Sequence, residues 1–548
     1  MPRPANGHPC GRRPRITTRP RRAAIWLVLV MVGLGSGELV GAQPQVSRRA
    51  ARDPGDTATS AQANDSSRRA EQESGAGSRE PSGLEAAVAI EKLLVAAIAK
   101  AERSVVAIAR IRQDEPADEG VPRTPFPLGA QAPSPTDADF VPNEFGAGVV
   151  VSRDGQILTN YHLLGDPQDS RYYVWIQRRP FRAEIVAADP WFDLAVLSIE
   201  AKGLQPIEFG DGRAVRKGQI VLALGNPQAI ARDGDASASW GIISNVLRRA
   251  PQVRRRSSDA LGRETIHHYG TLLQTDAKLN LGFSGGALID LHGRMIGLTT
   301  SYSAGLGYET AAGFAIPVDE RFLRAVKLLR EGRRPDYGFL GVKPEPLAEA
   351  LRRRGILGAR LADVFPGTPA SRAGLRKGDV VVRIDGRPVH DDDDLIRIVG
   401  SMAPDETTLI SVVRENSISG SFIENVDNVV DVEVSLSKKR LETLRPQLGA
   451  LDLRRWRGLQ VEYVTAAQDF EHLADRVDRR GCVLVLDVER DSPAWLAGIR
   501  ARFLISQVNG TQVGTPNEFY ETVVEISGDT ELQIITDRRS IETRTVSP

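Results

Sequence analysis

Three residues of this sequence have the types and settings needed to cleave an acyl bond: Ser284, His162 and Asp193. Ser284 sits in Gly282-Phe283-Ser284-Gly285-Gly286, between Gln274-Thr275-Asp276 and the apolar run Ala287-Leu288-Ile289. Glycines on both sides let the backbone turn sharply and approach a substrate. In such a turn the amides of Gly282 and Ser284, with Phe283 between them, can converge on a developing oxyanion. By itself a glycine-serine turn is only a loop signal, because a serine hydroxyl is a weak nucleophile until a base activates it. His162 supplies a base at the end of the strand-like stretch Leu158-Thr159-Asn160-Tyr161-His162. Asp193 lies in Asp189-Pro190-Trp191-Phe192-Asp193-Leu194-Ala195-Val196-Leu197, at the entrance to an apolar strand. A carboxylate there can accept from the imidazole and fix its tautomer.

The elements that position these residues follow from periodicity. Apolar residues at helical spacing predict a helix from Leu84 to Arg103. Residues 112–143, proline-rich and without period, read as a long loop. Short β-branched runs separated by Gly, Asp and Asn turns then continue to about Pro317, the pattern of an antiparallel all-β domain. A helix from Asp319 to Arg330 leads to a Gly-Arg-Arg-Pro boundary. In the last third, Thr368-Pro369-Ala370-Ser371-Arg372-Ala373-Gly374-Leu375 recurs as Ser492-Pro493-Ala494-Trp495-Leu496-Ala497-Gly498-Ile499, an offset of 124 residues. The same offset carries Asp385-Gly386 onto Asn509-Gly510 and Val389 onto Val513, so two tandem copies of one module are expected at 338–438 and 455–548.

Composition excludes some classes of function and sets the compartment. A chain of 548 residues is too long for one domain. Its formal net charge of +1 gives no bulk attraction to nucleic acid or to an anionic membrane. Residues 1–22 are arginine-rich and free of acids, residues 23–37 are uncharged and centred on an apolar core, and Val40-Gly41-Ala42 gives a small-residue exit. This is a secretory signal pattern with a core shorter than the roughly 20 residues of a spanning helix. Cleavage near Ala42 is expected, with an uncleaved anchor through residues 23–37 as the alternative; either implies an extracytoplasmic destination. Residues 43–82 read as a disordered spacer. Of the two cysteines, Cys10 lies in the signal region, so Cys482 has no obvious disulfide partner; in its apolar run it reads as a small buried hydrophobe.

The chain order His, Asp, Ser is that of chymotrypsin-like enzymes, whereas α/β-hydrolases place serine first. Thr159-Asn160-Tyr161-His162, Asp193-Leu194-Ala195-Val196, Leu224-Gly225-Asn226-Pro227, Gln274-Thr275-Asp276-Ala277, Asn280-Leu281-Gly282-Phe283-Ser284-Gly285-Gly286-Ala287-Leu288 and Gly313-Phe314-Ala315-Ile316-Pro317 together resemble the signatures of the HtrA (Deg) serine proteases. The resemblance covers about residues 85–548. It implies a mainly β fold: a trypsin-like double antiparallel β-barrel over 83–335, followed by two PDZ domains. It further implies trimers or larger assemblies, degradation of unfolded or damaged extracytoplasmic proteins, and no metal or organic cofactor. The chain departs from the family at Leu281 and Phe283, where proline and asparagine are usual. Phe283 is expected to contribute mainly its backbone, although its bulk could reshape the S1 or S1′ surface. Lys278, near the expected floor of S1, is either a solvated lysine or a determinant for acidic P1 residues.

In the repeated modules, Gly338-Phe339-Leu340-Gly341-Val342 resembles the PDZ carboxylate-binding loop, whose amides receive a peptide terminus while the adjoining strand edge pairs with the peptide. Gly458-Leu459-Gln460-Val461 is its counterpart, with Phe519 and Val523 as candidate groove residues and a turn altered by Arg502-Phe503 in place of Gly378-Asp379. Asp391-Asp392-Asp393-Asp394 is expected to cap the groove helix; metal binding is the sharper alternative. Arg248-Arg249 and Arg254-Arg255-Arg256 lie in a segment ending at His267-His268. That segment resembles by position the family's regulatory loop, and reads either as a solvated basic loop or as a sensor that orders around an acidic partner. Adjacent histidines on a strand would face apart, which disfavours a metal site. A non-proteolytic PDZ chaperone or scaffold is the alternative to an active endopeptidase.

Overall fold

The computed structural model describes residues 83–112, 144–226, 236–250, 265–300, 313–414, 429–441, 447–450, 454–537 and 539–548. The export segment, the spacer, most of the 112–143 loop and Arg254–Arg256 lie outside the described residues, as does Pro227.

The expected helix is α1 (Gly83–Ala101), of which Ala97 and Ala101 are buried. Leu84, Ile90, Leu93 and Val95 stay exposed, so its apolar surface is only partly used within the chain. Twelve strands follow: β1 (Val105–Arg112), β2 (Glu144–Val150), β3 (Gln156–Asn160), β4 (Ser170–Ile176), β5 (Arg179–Asp189), β6 (Leu194–Ile199), β7 (Ile220–Gly225), β8 (Ser237–Arg248), β9 (Leu272–Thr275), β10 (Ala287–Ile289), β11 (Met295–Thr300) and β12 (Gly313–Pro317). They close into two six-stranded antiparallel barrels, ordered β1-β2-β3-β6-β5-β4 and β10-β11-β12-β9-β8-β7. Closure removes the sheet edges, and the inward face of each barrel supplies its core. The first barrel is filled by Ile108, Ile157, Val174 and Leu197, the second by Val221, Ile243, Leu288 and Ile296.

Helix α2 (Glu320–Arg330) is capped by Asp319, whose carboxylate accepts from the Phe322 amide at 2.8 Å. Beyond it stand two sheets of one strand order. In the first module Val342–Pro346, Ala359–Val364, Val380–Ile384, Thr407–Val413 and Val429–Ser435 lie side by side. In the second the same path is taken by Leu459–Tyr463, Val483–Val488, Leu504–Val508, Thr530–Ile535 and Ile541–Val546. Each sheet is covered by a helix, α3 (Asp392–Val399) or α4 (Pro516–Val524). The offset of 124 residues is visible in the backbone: Asp385 and Asn509 both take a left-handed φ, 48° and 47°, ahead of Gly386 and Gly510. Arg502 also adopts the left-handed φ of its counterpart, 72° against 92° for Gly378, so this turn keeps its shape despite the changed residues.

The segment between the modules returns to the first barrel. Leu448 and Ala188 exchange backbone hydrogen bonds of 3.0 and 2.8 Å, and the Arg334 side chain donates to the Gly449 carbonyl at 2.9 Å.

Candidate active site

Register brings His162 and Asp193 together. The β3–β6 ladder pairs Asn160 with Leu194, so the residues just after β3 and just before β6 are neighbours. His162 lies in the 3-10 turn Tyr161–Leu164. Its Nδ1 is 2.8 Å from Asp193 Oδ2, and its amide donates to Asp193 Oδ1 at 2.9 Å. The Asp193 carbonyl accepts from the Tyr161 amide (3.1 Å) and from Asn160 Nδ2 (3.3 Å). Asp193 itself has a left-handed φ of 55°, a conformation that a non-glycine residue holds only when its surroundings fix it. Burial alone would raise the Asp193 carboxyl. The adjacent His162 imidazole and its hydrogen bonds outweigh this and hold it below the usual carboxylate range.

Further contacts fix the peptide before Asp193. His267 is fully buried, with Nε2 at 2.9 Å from the Phe192 carbonyl and Nδ1 at 2.6 Å from Thr271 Oγ1. A carbonyl can only accept, so Nε2 carries the proton and Nδ1 accepts from the threonine. Burial lowers the His267 pKa to about 4 and keeps the ring neutral. Asp189, also fully buried, accepts from the amides of Trp191 (3.1 Å) and Phe192 (3.2 Å) and from the Tyr337 hydroxyl. Burial raises its pKa to about 6. The Trp191 indole donates to the Gly400 carbonyl of the first module at 2.8 Å. Neither Asp189 nor His267 was singled out chemically from sequence. His267 belongs to a 3-10 turn, Ile266–Tyr269, not to a strand, and the described residues contain no group of ligands able to hold a metal.

Ser284 is delivered by the second barrel. Thr299 holds the turn at two points: the Gly285 amide donates to the Thr299 carbonyl and the Thr299 amide to the Gly286 carbonyl, both at 2.9 Å. The turn docks on the first barrel through Ala147, whose amide donates to the Ser284 carbonyl at 2.8 Å. Gly285 has φ 82°, and a Cβ there would lie 2.1 Å from the Ala147 carbonyl oxygen. Gly146 is flanked by the Leu163 side chain, next to His162, and by the Ser284 carbonyl, so serine and histidine approach across the barrel junction.

The Phe283 amide donates to the Asn280 carbonyl at 3.1 Å. The Phe283 ring is turned inward: it is 2% exposed and lies among Val221, Ala223, Ile243 and Leu288 in the second barrel. Lys278 is exposed, with its amide on Ser239 Oγ at 2.9 Å.

The two module grooves differ. In the first, Leu340 is buried, Gly341 has φ 85° against Thr368, Val342 opens the edge strand, and Phe339 meets Phe470 of the second module edge-on at 6.3 Å. Among the described residues the Leu340 and Gly341 amides meet no backbone acceptor. In the second, the Leu459 amide is taken by the Trp456 carbonyl at 2.8 Å, and the Val461 amide donates to the Tyr520 hydroxyl at 3.2 Å. Gln460 is buried, and Phe519 and Val523 are core residues, so Tyr520 lines this groove in their place. Asp391 caps α3 by accepting from the Asp394 amide at 2.9 Å. Arg249 reaches Asp391 and Asp393 at 2.8 and 3.0 Å, so this part of the basic segment is bound to the acidic run and not simply solvated.

The trypsin-like peptidase domain family matches residues 146–298, and the PDZ domain family matches residues 338–424. A probable periplasmic serine endoprotease, DegP-like, of Chlamydia muridarum is 30% identical over 417 residues, 75% of this chain and 75% of the relative. The chain belongs to the HtrA (DegP-like) serine-protease family. It is a serine endopeptidase with a trypsin-like barrel pair and a PDZ domain. The serine endoprotease DegS of Haemophilus influenzae is 33% identical over 279 residues, 50% of this chain and 75% of that one. Among solved structures, the HtrA-type protease AlgW with a decapeptide shares 26% identity, covers 63% of this chain and 98% of its own, and has a TM-score of 0.43.

Proposed function

We propose that His162, Asp193 and Ser284 are the catalytic triad of this protease. The carrying observation is the two-point pairing of His162 with Asp193, beside a serine turn clamped onto Ala147. Ser284 attacks the scissile carbonyl while His162 takes its proton and later gives it to the leaving amine. Asp193 stays ionised, holds the tautomer and stabilises the imidazolium. The amides of Gly282 and Ser284 receive the oxyanion, each donor worth about 2.7–4 kcal/mol of transition-state stabilisation.

The substrates are unfolded or damaged proteins outside the cytoplasm, a reading supported by the periplasmic DegP-like relatives and the signal-like N-terminus. Residues 83–335 form the protease domain, 338–438 a PDZ domain that receives peptide C-termini at Leu340 and Gly341, and 455–548 a second PDZ domain. The engaged amides of Leu459 and Val461 favour the first groove as the peptide reader. Assembly into trimers or larger forms is supported by the exposed apolar residues of α1.

Digestion of a disordered protein by residues 43–548, beside Ser284→Ala, tests the triad. Cleavage by the first alone, with product ends sequenced, supports it and reads the P1 preference. Silence from both, with peptides bearing free carboxylates also present, turns the reading to a PDZ scaffold.

A further inference from the structure

Behind the peptide that precedes Asp193 lies a cavity of about 240 Å³ at the junction of the second barrel and the first module. Phe192, Leu273 and Ile316 give it an apolar wall, and Arg321 of α2 and Arg397 of α3 give it a cationic one. Arg213, at the rim, is already matched by Asp211 at 3.5 Å and Glu320 at 3.1 Å. Arg397 pairs with Asp394 at 2.6 Å, but its Nε is buried without an acceptor. Arg321 has no hydrogen bond or ion pair among the described residues, and Asp319, which attracts it, is engaged on the Phe322 amide. Burial holds Arg321 below the usual arginine range; Asp319 and Glu406 oppose this, and the positive charges of Arg387 and Arg397 add to it. A half-buried guanidinium beside two others, without an acceptor of its own, has unmet bonding capacity.

We propose that this cavity binds a small organic anion with an apolar body, its carboxylate between Arg321 and Arg397 and its body against Phe192, Leu273 and Ile316. Guanidinium forks match a carboxylate in shape and charge, and would gain charge-assisted hydrogen bonds that they now lack. An inorganic anion would leave the apolar wall wet, and a neutral alkanol would leave the guanidiniums unmatched. The volume is below the range of about 300–1,000 Å³ usual for drug-sized ligands, which restricts the occupant to a short chain. A second cavity of about 300 Å³ shares Arg213, Asp319, Arg321 and Ser401 with it.

Calorimetric titration of sodium octanoate into the full chain carrying Ser284→Ala tests the site. Binding is read without turnover, so the result does not depend on the triad assignment. Saturable binding of one octanoate per chain is expected, weakened at least about tenfold by Arg321→Met and likewise by Arg397→Met, with octan-1-ol failing to compete. Thermal unfolding checks that each variant is folded; a variant that is not is replaced by the other. Absence of saturable heat, equal affinity in the folded variants, or equal competition by octan-1-ol overturns the proposal.

Discussion

Replacing His267 by alanine should perturb catalysis without touching any member of the proposed triad. The substitution removes the donor to the Phe192 carbonyl and the acceptor of the Thr271 hydroxyl, both at buried positions. A buried carbonyl left without its partner costs about 1–3 kcal/mol. The strain sits on the peptide that fixes the left-handed backbone of Asp193, so part of that cost is relieved by rotation of this peptide, which misaligns the carboxylate under His162. If half of it appears in the transition state, kcat falls by about twofold to thirteenfold. Substrate contacts are remote, so KM should hold and kcat/KM should fall in parallel with kcat. A fluorogenic peptide assay reads both constants, and the low-field proton resonance of His162 Nδ1–H reads the alignment directly. Gln at 267, whose amide can donate to the same carbonyl, should restore most of the rate. An unchanged kcat and an unmoved resonance in a destabilised His267→Ala enzyme would refute the reasoning, since His267 would then serve folding alone.

Asp189→Asn should change how stability depends on pH. Native Asp189, with a pKa of about 6, keeps a proton that the unfolded chain releases near 3.8, so its contribution falls as pH rises through this interval. His267 acts oppositely: the unfolded chain takes up its proton below 6.5 and the native chain only near 4, so its contribution is present above 6.5 and is lost as pH falls towards 4. The variant keeps only the second slope, and urea unfolding across this window should show stability declining on acidification more steeply by up to about 1.36 kcal/mol per pH unit; parallel slopes would contradict a protonated native Asp189. Phe283→Ala should destabilise the protein by about 3–5 kcal/mol, as expected for emptying a core aromatic site, and a loss under about 1 kcal/mol in denaturant unfolding would place the ring at the surface instead.

The meeting of His162 and Asp193 was legible because each lies next to a strand whose alternation shows in the sequence, and because barrel register then leaves little freedom in where they meet. The module repeat was legible for a related reason: Asp385-Gly386 and Asn509-Gly510 carry a backbone requirement that few residues satisfy. The orientation of Phe283 was not legible. A residue in a glycine-rich turn reads as surface loop, and only the Asn280 carbonyl and the neighbouring strands β7 and β10 decide that its side chain turns inward. His267 was hidden because its partners are 75 and 4 residues away and one is a backbone carbonyl, which leaves no mark in residue identity. The second groove is lined by Tyr520, one position from the predicted Phe519, a difference of helix phase that spacing alone did not resolve.

The inward Phe283 has a consequence for how such an enzyme survives among its own kind. The side chain beside the nucleophile is part of the second barrel's interior, so any opening of that barrel drags the serine turn out of line. A copy that begins to unfold is disarmed before it becomes digestible. In a crowded population the molecules able to cut are then the intact ones, and damaged members enter the pool of substrates without remaining active in it.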